Sequence, residues 1–291
     1  MGGSRGDYNV DVVLRKAVSE DREKVIEVES KSTPNLSYLP EVFDSFVSDE
    51  VGEFIVAEVD GEVVACGKFT IVPDGSAWLE TLRVVPEYQG IGIGKRFYER
   101  FFEIARRQGV ETMRMYTGIR NIVSRGLAER FGFQLAATYR GAWMPCNLEK
   151  GGTPIGSFRM VSDPTKATSI LMPYQERWGK FLVMNRTFYA LTPNLCESLA
   201  LNGMIYEDVE SDSTIVLGAR FMPEKALYIG LFGGNVNSCL GFAAQECSDR
   251  GVKRLSCLFQ VSAVDLQDIL TLHGFRLEAS DFLVMETHIS K

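Results

Sequence analysis

One stretch constrains this chain more than any other: Glu80-Thr-Leu-Arg-Val-Val-Pro86-Glu-Tyr-Gln89-Gly-Ile-Gly-Ile-Gly94-Lys95. An apolar strand pattern from Trp78 to Val85 is closed by Pro86, which cannot donate to a sheet ladder. Gly90, Gly92 and Gly94 then open a helix whose apolar face is Ile93, Phe97, Phe101 and Ile104. Glycines without a Cβ let backbone N–H groups close around an anion at a helix N-terminus, where unpaired donors and the helix dipole favour negative charge. The natural guest is a phosphate. A dinucleotide fold would read G-x-G-x-x-G with an acidic residue well downstream, whereas here the glycines run G-x-G-x-G and Glu111 follows too closely.

Strand, proline, glycine loop and amphipathic helix together resemble the GNAT superfamily of acyl-CoA-dependent N-acetyltransferases. The signature of that family, (Gln/Arg)-x-x-Gly-x-(Gly/Ala) after a strand ending in Val-x-x-Pro or Val-x-Pro, is met by Gln89-Gly-Ile-Gly92-Ile-Gly94 behind Val84-Val85-Pro86. The flanking pattern agrees with it. Val10 to Arg15 reads as a strand, Ser19 to Lys31 as a helix, and Leu39 to Val47 as a second short helix after Pro40. Asp60-Gly61 joins two strand-like runs, Glu53 to Val59 and Glu62 to Val72. A strand over Glu111 to Tyr116, a helix opened by Asn121 and a strand after Gly132-Phe133 complete the order of the GNAT fold over roughly residues 10 to 148.

The second half repeats the first. Displaced by 142 positions, Gly109-Val110 falls on Gly251-Val252, Gly132-Phe133 on Gly274-Phe275, and Leu135 on Leu277. The expected architecture is α/β (α+β), with two GNAT-like domains in tandem, each a mixed, mostly antiparallel sheet flanked by helices. Residues 1–9 are a tail, 10–149 the catalytic domain, 150–156 a Gly- and Pro-containing linker, and 157–291 a degenerate copy. At the same offset Gln89 becomes Leu231, Gly90 becomes Phe232 and Gly94 becomes Val236, while Gly92 keeps its glycine as Gly234. Bulky side chains there are expected to block a pyrophosphate, leaving the second domain to wall the cleft.

Composition limits the alternatives. With 291 residues, 45% of them hydrophobic, the chain can bury two cores. Its net charge of −7 argues against a nucleic-acid scaffold, which needs clustered cations. Six cysteines without a C-x-x-C pair, and only His273 and His288 beside them, give no zinc spacing and no metal expectation. They read as reduced, buried thiols of a cytoplasmic protein. No apolar run reaches membrane-spanning length, so no membrane partner is expected.

The resemblance implies acetyl-CoA as cofactor and attack of an amine on its thioester. Backbone groups of Gln89, Gly90, Ile91, Gly92, Ile93, Gly94 and Lys95 would hold the pyrophosphate. Leu82, Arg83 and Val84 would pair with the pantetheine arm, Val84 N–H would face the oxyanion, and Asn121 would touch the same arm. The first half contains no histidine, so a carboxylate is the expected base. Glu80 occupies the family's place for one, on the same face as Leu82 and Val84 if the strand stays regular. The family's usual tyrosine acid is absent: in Asn121-Ile-Val-Ser-Arg-Gly-Leu-Ala128-Glu-Arg-Phe-Gly132-Phe133, Ala128 takes its position. Tyr116 or a water is the substitute. Lys95 beside the loop adds a cation for the phosphates, whereas Arg96 and Arg100 read as surface charge.

By the same resemblance, acceptor specificity comes from about Ser32 to Pro40 and Tyr139 to Cys146, with Tyr38 and Trp143 as lining residues. The expected acceptor is a primary amine of a small molecule, amino acid or polyamine-like. A protein or peptide amine, or a non-catalytic acyl-CoA-binding regulator, are the alternatives. A homodimer is compatible with either.

Overall fold

The computed structural model describes residues 11–34, 36–146 and 157–289; the expected tail 1–9 and linker 150–156 lie outside the described residues. The chain divides into two compact units, the first Met1–Ile71, Leu79–Glu111 and Ile289–Lys291, the second Val72–Trp78 and Thr112–His288. Among the described residues no helix is long and apolar enough to cross a membrane.

Unit 1 is built from β1 (Val12–Lys16), α1 (Arg22–Ser32), α2 (Leu39–Val47), β2 (Glu53–Val59), β3 (Glu62–Ile71), the part of β4 (Ala77–Val84) from Leu79 onward, and α3 (Ile93–Gln108). Its strands lie in the order β1-β2-β3-β4. The predicted hairpin forms between β2 and β3, with Asp60 (φ 52°) and Gly61 (φ 79°) both left-handed, as a tight turn matched to strand twist requires. Ile93, Phe97, Phe101 and Ile104 are buried as the helical spacing predicted, joined by Tyr98 and Ala105. Gly67 makes room for them, since a Cβ there would stand 2.9 Å from the Phe97 ring. Val25 and Val28 of α1 and Leu39, Val42, Phe43 and Phe46 of α2 complete the core of this unit.

Unit 2 continues with β5 (Thr112–Gly118), α4 (Ile122–Arg130), β6 (Gln134–Pro145), β7 (Arg159–Met160), α5 (Pro164–Leu171), α6 (Gln175–Trp178), β8 (Phe181–Met184) and β9 (Thr187–Ala190). There follow α7 (Pro193–Leu201), β10 (Ile205–Asp208), β11 (Ser213–Gly218), β12 (Leu227–Gly233), α8 (Val236–Asp249), β13 (Arg254–Gln260), α9 (Val264–Leu272), β14 (Arg276–Leu277) and β15 (Phe282–His288). Its strand order is β5-β15-β6-β13-β12-β11-β10-β7, with β8 and β9 paired separately. The repeat is visible in this list: β5 and β13, and α4 and α9, are displaced by 142 positions residue for residue. Both copies also contain one parallel contact, β4 with β5 and β12 with β13, in otherwise antiparallel surroundings.

The compact units do not follow the boundary of the repeat, and strand exchange is the reason. β15, the last strand of the second copy, inserts between β5 and β6 of the first and is antiparallel to both. In return β6 pairs with β13 from Tyr139↔Gln260 to Pro145↔Arg254. A continuous ladder therefore binds β5 and β6 to the second copy.

One expectation fails outright. Cys146, just beyond β6, and Cys247 in α8 form a disulfide with Cα atoms 6.2 Å apart, inside the range a bridge spans. Exchange brings β6 beside the second copy, which places these two cysteines together across 101 positions of sequence. Cys66, Cys196, Cys239 and Cys257 are free and buried, as expected.

Candidate functional site

β4 is the edge strand of unit 1, and it does not stay regular. Thr81 sits at φ 56°, a left-handed conformation in which a β-branched residue is strained by about 1–3 kcal/mol. The kink breaks the alternation of side chains, so strand alternation does not put Glu80 on the face of Leu82 and Val84 as expected. Beyond the kink, Val85 N–H donates to Val64 O at 3.0 Å, which turns the Val84 N–H toward the opposite, outer edge of the strand. That is the direction an oxyanion donor needs. Glu80, just before the kink, is half-buried and accepts a hydrogen bond from Thr70 Oγ1 at 2.6 Å.

After Pro86–Tyr88, the loop reaches α3 through two left-handed glycines, Gly90 (φ 83°) and Gly92 (φ 94°). Neither would put a Cβ within 4 Å of any protein atom. Glycine is needed there for its conformation, and the space above both positions is open. Gly92 is the N-cap of α3 and supplies no capping side chain, and no acidic residue stands in the first turn. Ile93, Gly94 and Lys95 therefore begin a 16-residue helix whose positive end is not neutralised by the chain. Gln89 folds its side chain back, Nε2 donating to Val84 O at 2.9 Å, which ties the loop to the end of β4. Ile91 is exposed while Ile93 is buried, so one isoleucine anchors the loop and the other lies over it. Lys95 is exposed and 3.4 Å from Glu99, whereas Arg96 bonds Val12 O and Arg100 pairs with Glu53.

A charged cluster missed by the sequence reading lies against β4. Glu29 of α1 is buried; its Oε2 accepts from the Tyr38 and Leu39 N–H groups at 3.2 and 3.1 Å, capping α2. Its Oε1 is 3.6 Å from Nη2 of Arg83, and the Arg83 guanidinium lies 5.9 Å from the ring of Tyr38. Burial pushes the Glu29 carboxyl above its usual range, against the pull of Arg83, of the Leu39 and Tyr38 amides and of the Ser37 hydroxyl. The signal was present in sequence: Glu29 stands four residues after Val25 and beside Val28, on the buried stripe of α1.

The remaining predicted residues belong to unit 2. Tyr116 of β5 is half-buried in an aromatic cluster, stacked on Trp78 at 5.9 Å and packed against Phe188 and Phe282. Asn121 caps α4, its Oδ1 accepting from Ser124 N at 3.1 Å. Ala128 is fully buried, so the place of the usual tyrosine faces the core. Trp143 lies beneath two cations, Arg254 at 4.9 Å and Arg276 at 5.5 Å, and is held by β13 and β14 on either side.

The second copy has lost the loop itself. Residues 85–92 separate β4 from α3, but only Gly234 and Asn235 separate β12 from α8. Leu231 and Phe232, set against Gln89 and Gly90 by the fixed offset, are buried strand residues of β12. The deletion, rather than the bulk of those side chains, removes the cradle. What remains is filled: Trp178 Nε1 donates to Phe232 O at 2.9 Å, a Cβ on Gly233 would fall 2.0 Å from the Tyr174 ring, and Asn235 caps α8 through Ser238 N.

Residues 20–133 match the acetyltransferase (GNAT) family. Among solved structures the chain is similar to a GCN5-related N-acetyltransferase from Sphaerobacter thermophilus, at 14% identity and a TM-score of 0.67, covering 96% of each chain. It is similar to a putative acetyltransferase from Pyrococcus horikoshii, at 15% identity and a TM-score of 0.63, over 96% of this chain and 90% of that one. A tandem GNAT protein from the clavulanic acid biosynthesis pathway aligns over 97% of this chain and 99% of its own, at 11% identity and a TM-score of 0.62. Uncapped helix, left-handed glycines and kinked edge strand all fall within residues 20–133, the segment that matches the GNAT acetyltransferase family, and the chain has the fold of the tandem GNAT proteins.

Proposed function

We propose that the protein transfers the acetyl group of acetyl-CoA to a primary amine of a small molecule. The observation that carries this reading is the α3 N-terminus, uncapped and free of acidic residues behind two left-handed glycines with open space above them. Such an end offers backbone donors and a helix dipole to a pyrophosphate. Backbone groups of Gln89 to Lys95 bind it, and the exposed Lys95 adds charge. Leu82, Arg83 and Val84 present the outer edge of β4 to the pantetheine arm, as a strand edge takes an extended partner.

In the reaction, the amine nitrogen attacks the thioester carbonyl, and the Val84 N–H receives the oxyanion. Glu80 takes the proton from the amine, the C–S bond breaks, and the CoA thiolate leaves and is protonated. For Tyr116 as acid and Asn121 as a contact to the arm, both in unit 2, the roles rest on the resemblance alone. Trp143 carries no acceptor role in this reading, since its indole is occupied by Arg254 and Arg276.

The test is release of free thiol from acetyl-CoA over a panel of amino acids, polyamines, aminoglycosides and short peptides, with wild type and Glu80→Gln. Release with a small amine, lost in the variant, supports the reading. Release with peptides alone favours a protein or peptide acceptor. CoA binding with no amine ever accelerating release would leave a non-catalytic CoA-binding regulator.

A further inference from the structure

Among the described residues, three buried side-chain polar atoms have no hydrogen-bond partner: Glu29 Oε1, Thr81 Oγ1 and Arg83 Nε. They are not scattered. Thr81 and Arg83 are two residues apart on β4, on either side of Leu82, and Glu29 stands against Arg83. Buried polar atoms are nearly always paired, and leaving one bare costs about 1–3 kcal/mol. Two of them meet in one buried charge pair between α1 and the strand proposed to hold the pantetheine arm, with the third two residues earlier on that strand, and they mark a place built to receive polar groups from outside the chain.

We infer that this cluster is the subsite for the charged head of the acceptor, and that the acceptor carries a carboxylate as well as an amine: an amino acid or a close derivative. The inference rests on the acetyl-transfer reading and narrows it. Nε and Nη2 form one edge of the Arg83 guanidinium. Nε is unpaired, and Nη2 meets Glu29 only at 3.6 Å, beyond hydrogen-bond distance. A carboxylate fits that edge in the two-point geometry that arginine favours. Glu29 has spent Oε2 on the Tyr38 and Leu39 amides, and Oε1 remains to accept an N–H from the acceptor.

Charge selects between ligand classes. Arg83 and Glu29 are 10% and 2% exposed, so whatever joins them is largely desolvated. A plain polyamine would add a cation beside Arg83. A plain carboxylic acid would add an anion beside Glu29, whose charged form burial already disfavours. A zwitterion brings one charge of each sign and leaves the site balanced. Tyr38, expected from sequence to line the acceptor site, is brought to this cluster by its contact with Arg83.

The experiment compares kcat/KM for amino acids, each paired with the amine that lacks only its α-carboxylate, in wild type and Arg83→Gln, with CoA affinity measured by calorimetry on both proteins. The expected result is a preference for the carboxylate-bearing member of roughly 10- to 100-fold in wild type, appearing as a lower KM, that collapses in the variant. Equal or better use of the decarboxylated amines, or a preference that survives in Arg83→Gln, overturns the subsite while leaving acetyl transfer intact. Wild type that binds no CoA, or that acetylates no amine in the panel, overturns both.

Discussion

Thr70 Oγ1 on β3 donates to Glu80 Oε1 on β4 at 2.6 Å, one residue before the left-handed Thr81. The carboxylate proposed as base is thus oriented by a neighbouring strand at the point where its own strand leaves regular geometry. Orientation and proton transfer are separable. Glu80→Gln is expected to lower kcat by about 100-fold or more, the scale of a general base. Thr70→Val, which removes only the orienting bond, is expected to lower it by roughly 3- to 10-fold, on the scale of a single hydrogen bond. Steady-state kinetics on both variants, with CoA affinity as the control, measure the difference.

Lys68, whose side chain is 1% exposed, is held by Asp49, by Phe69 O at 2.8 Å and by the Phe46 ring at 5.7 Å. Asp49→Ala strands a fully buried ammonium, whereas Lys68→Met removes that charge and leaves a partly exposed carboxylate still bonded by the Val51 and Gly52 amides. Asp49→Ala should therefore destabilise unit 1 by about 3–5 kcal/mol, and Lys68→Met by less. Burial works against the Asp49 carboxylate, but the Gly52 and Val51 amides and Lys68 outweigh it and hold its pKa below the ordinary value. Its contribution is full above the unfolded value and is lost as pH falls through the lower folded one. Urea unfolding should show the wild type losing its advantage over Asp49→Ala below about pH 4, the ordinary carboxylate range.

The Cys146–Cys247 bond predicts four free thiols in the oxidised chain, all buried. A thiol reagent applied in denaturant without reductant should count four per chain; a count of six would mean that the bond does not form. Cys146→Ser should cost unit 2 about 2–4 kcal/mol, because the bridge restrains a long loop in the unfolded state.

Gly92 and Gly234 share a left-handed backbone, at φ 94° and 82°, with opposite surroundings. A Cβ on Gly92 meets nothing within 4 Å, whereas one on Gly234 would stand 1.9 Å from Asp212 O. Gly92→Ala should cost only the conformational penalty, about 1–2 kcal/mol. Gly234→Ala adds a backbone clash and should cost about 1–3 kcal/mol more. Thermal or urea unfolding of the two variants in parallel checks the ordering.

What the sequence disclosed depended on how local the signal was. The glycine loop, the apolar face of α3 and the Asp60-Gly61 hairpin are written within a few residues, and the structure shows all three. The repeat was legible across β5 and α4 because no gap interrupts it there. It misled upstream, where the loop before α8 is shorter and a fixed offset places Phe232 opposite a glycine it does not replace. Thr81 was hidden by its type, since a β-branched residue is among the last expected at positive φ. The exchange of β6 and β15 and the disulfide it permits depend on pairings far apart in sequence, which no local pattern encodes. Glu29 was overlooked because a charge on a helix suggests a solvated face, although its spacing from Val25 places it inside.

The most direct measurement of the central claim is a calorimetric titration of CoA into the wild type and Gly92→Val. One CoA per chain is expected, because only Gly234 and Asn235 connect β12 to a capped α8, and affinity at least tenfold weaker in Gly92→Val, whose side chain opposes the left-handed cradle. Two equivalents per chain, or undiminished affinity in the variant, would contradict it.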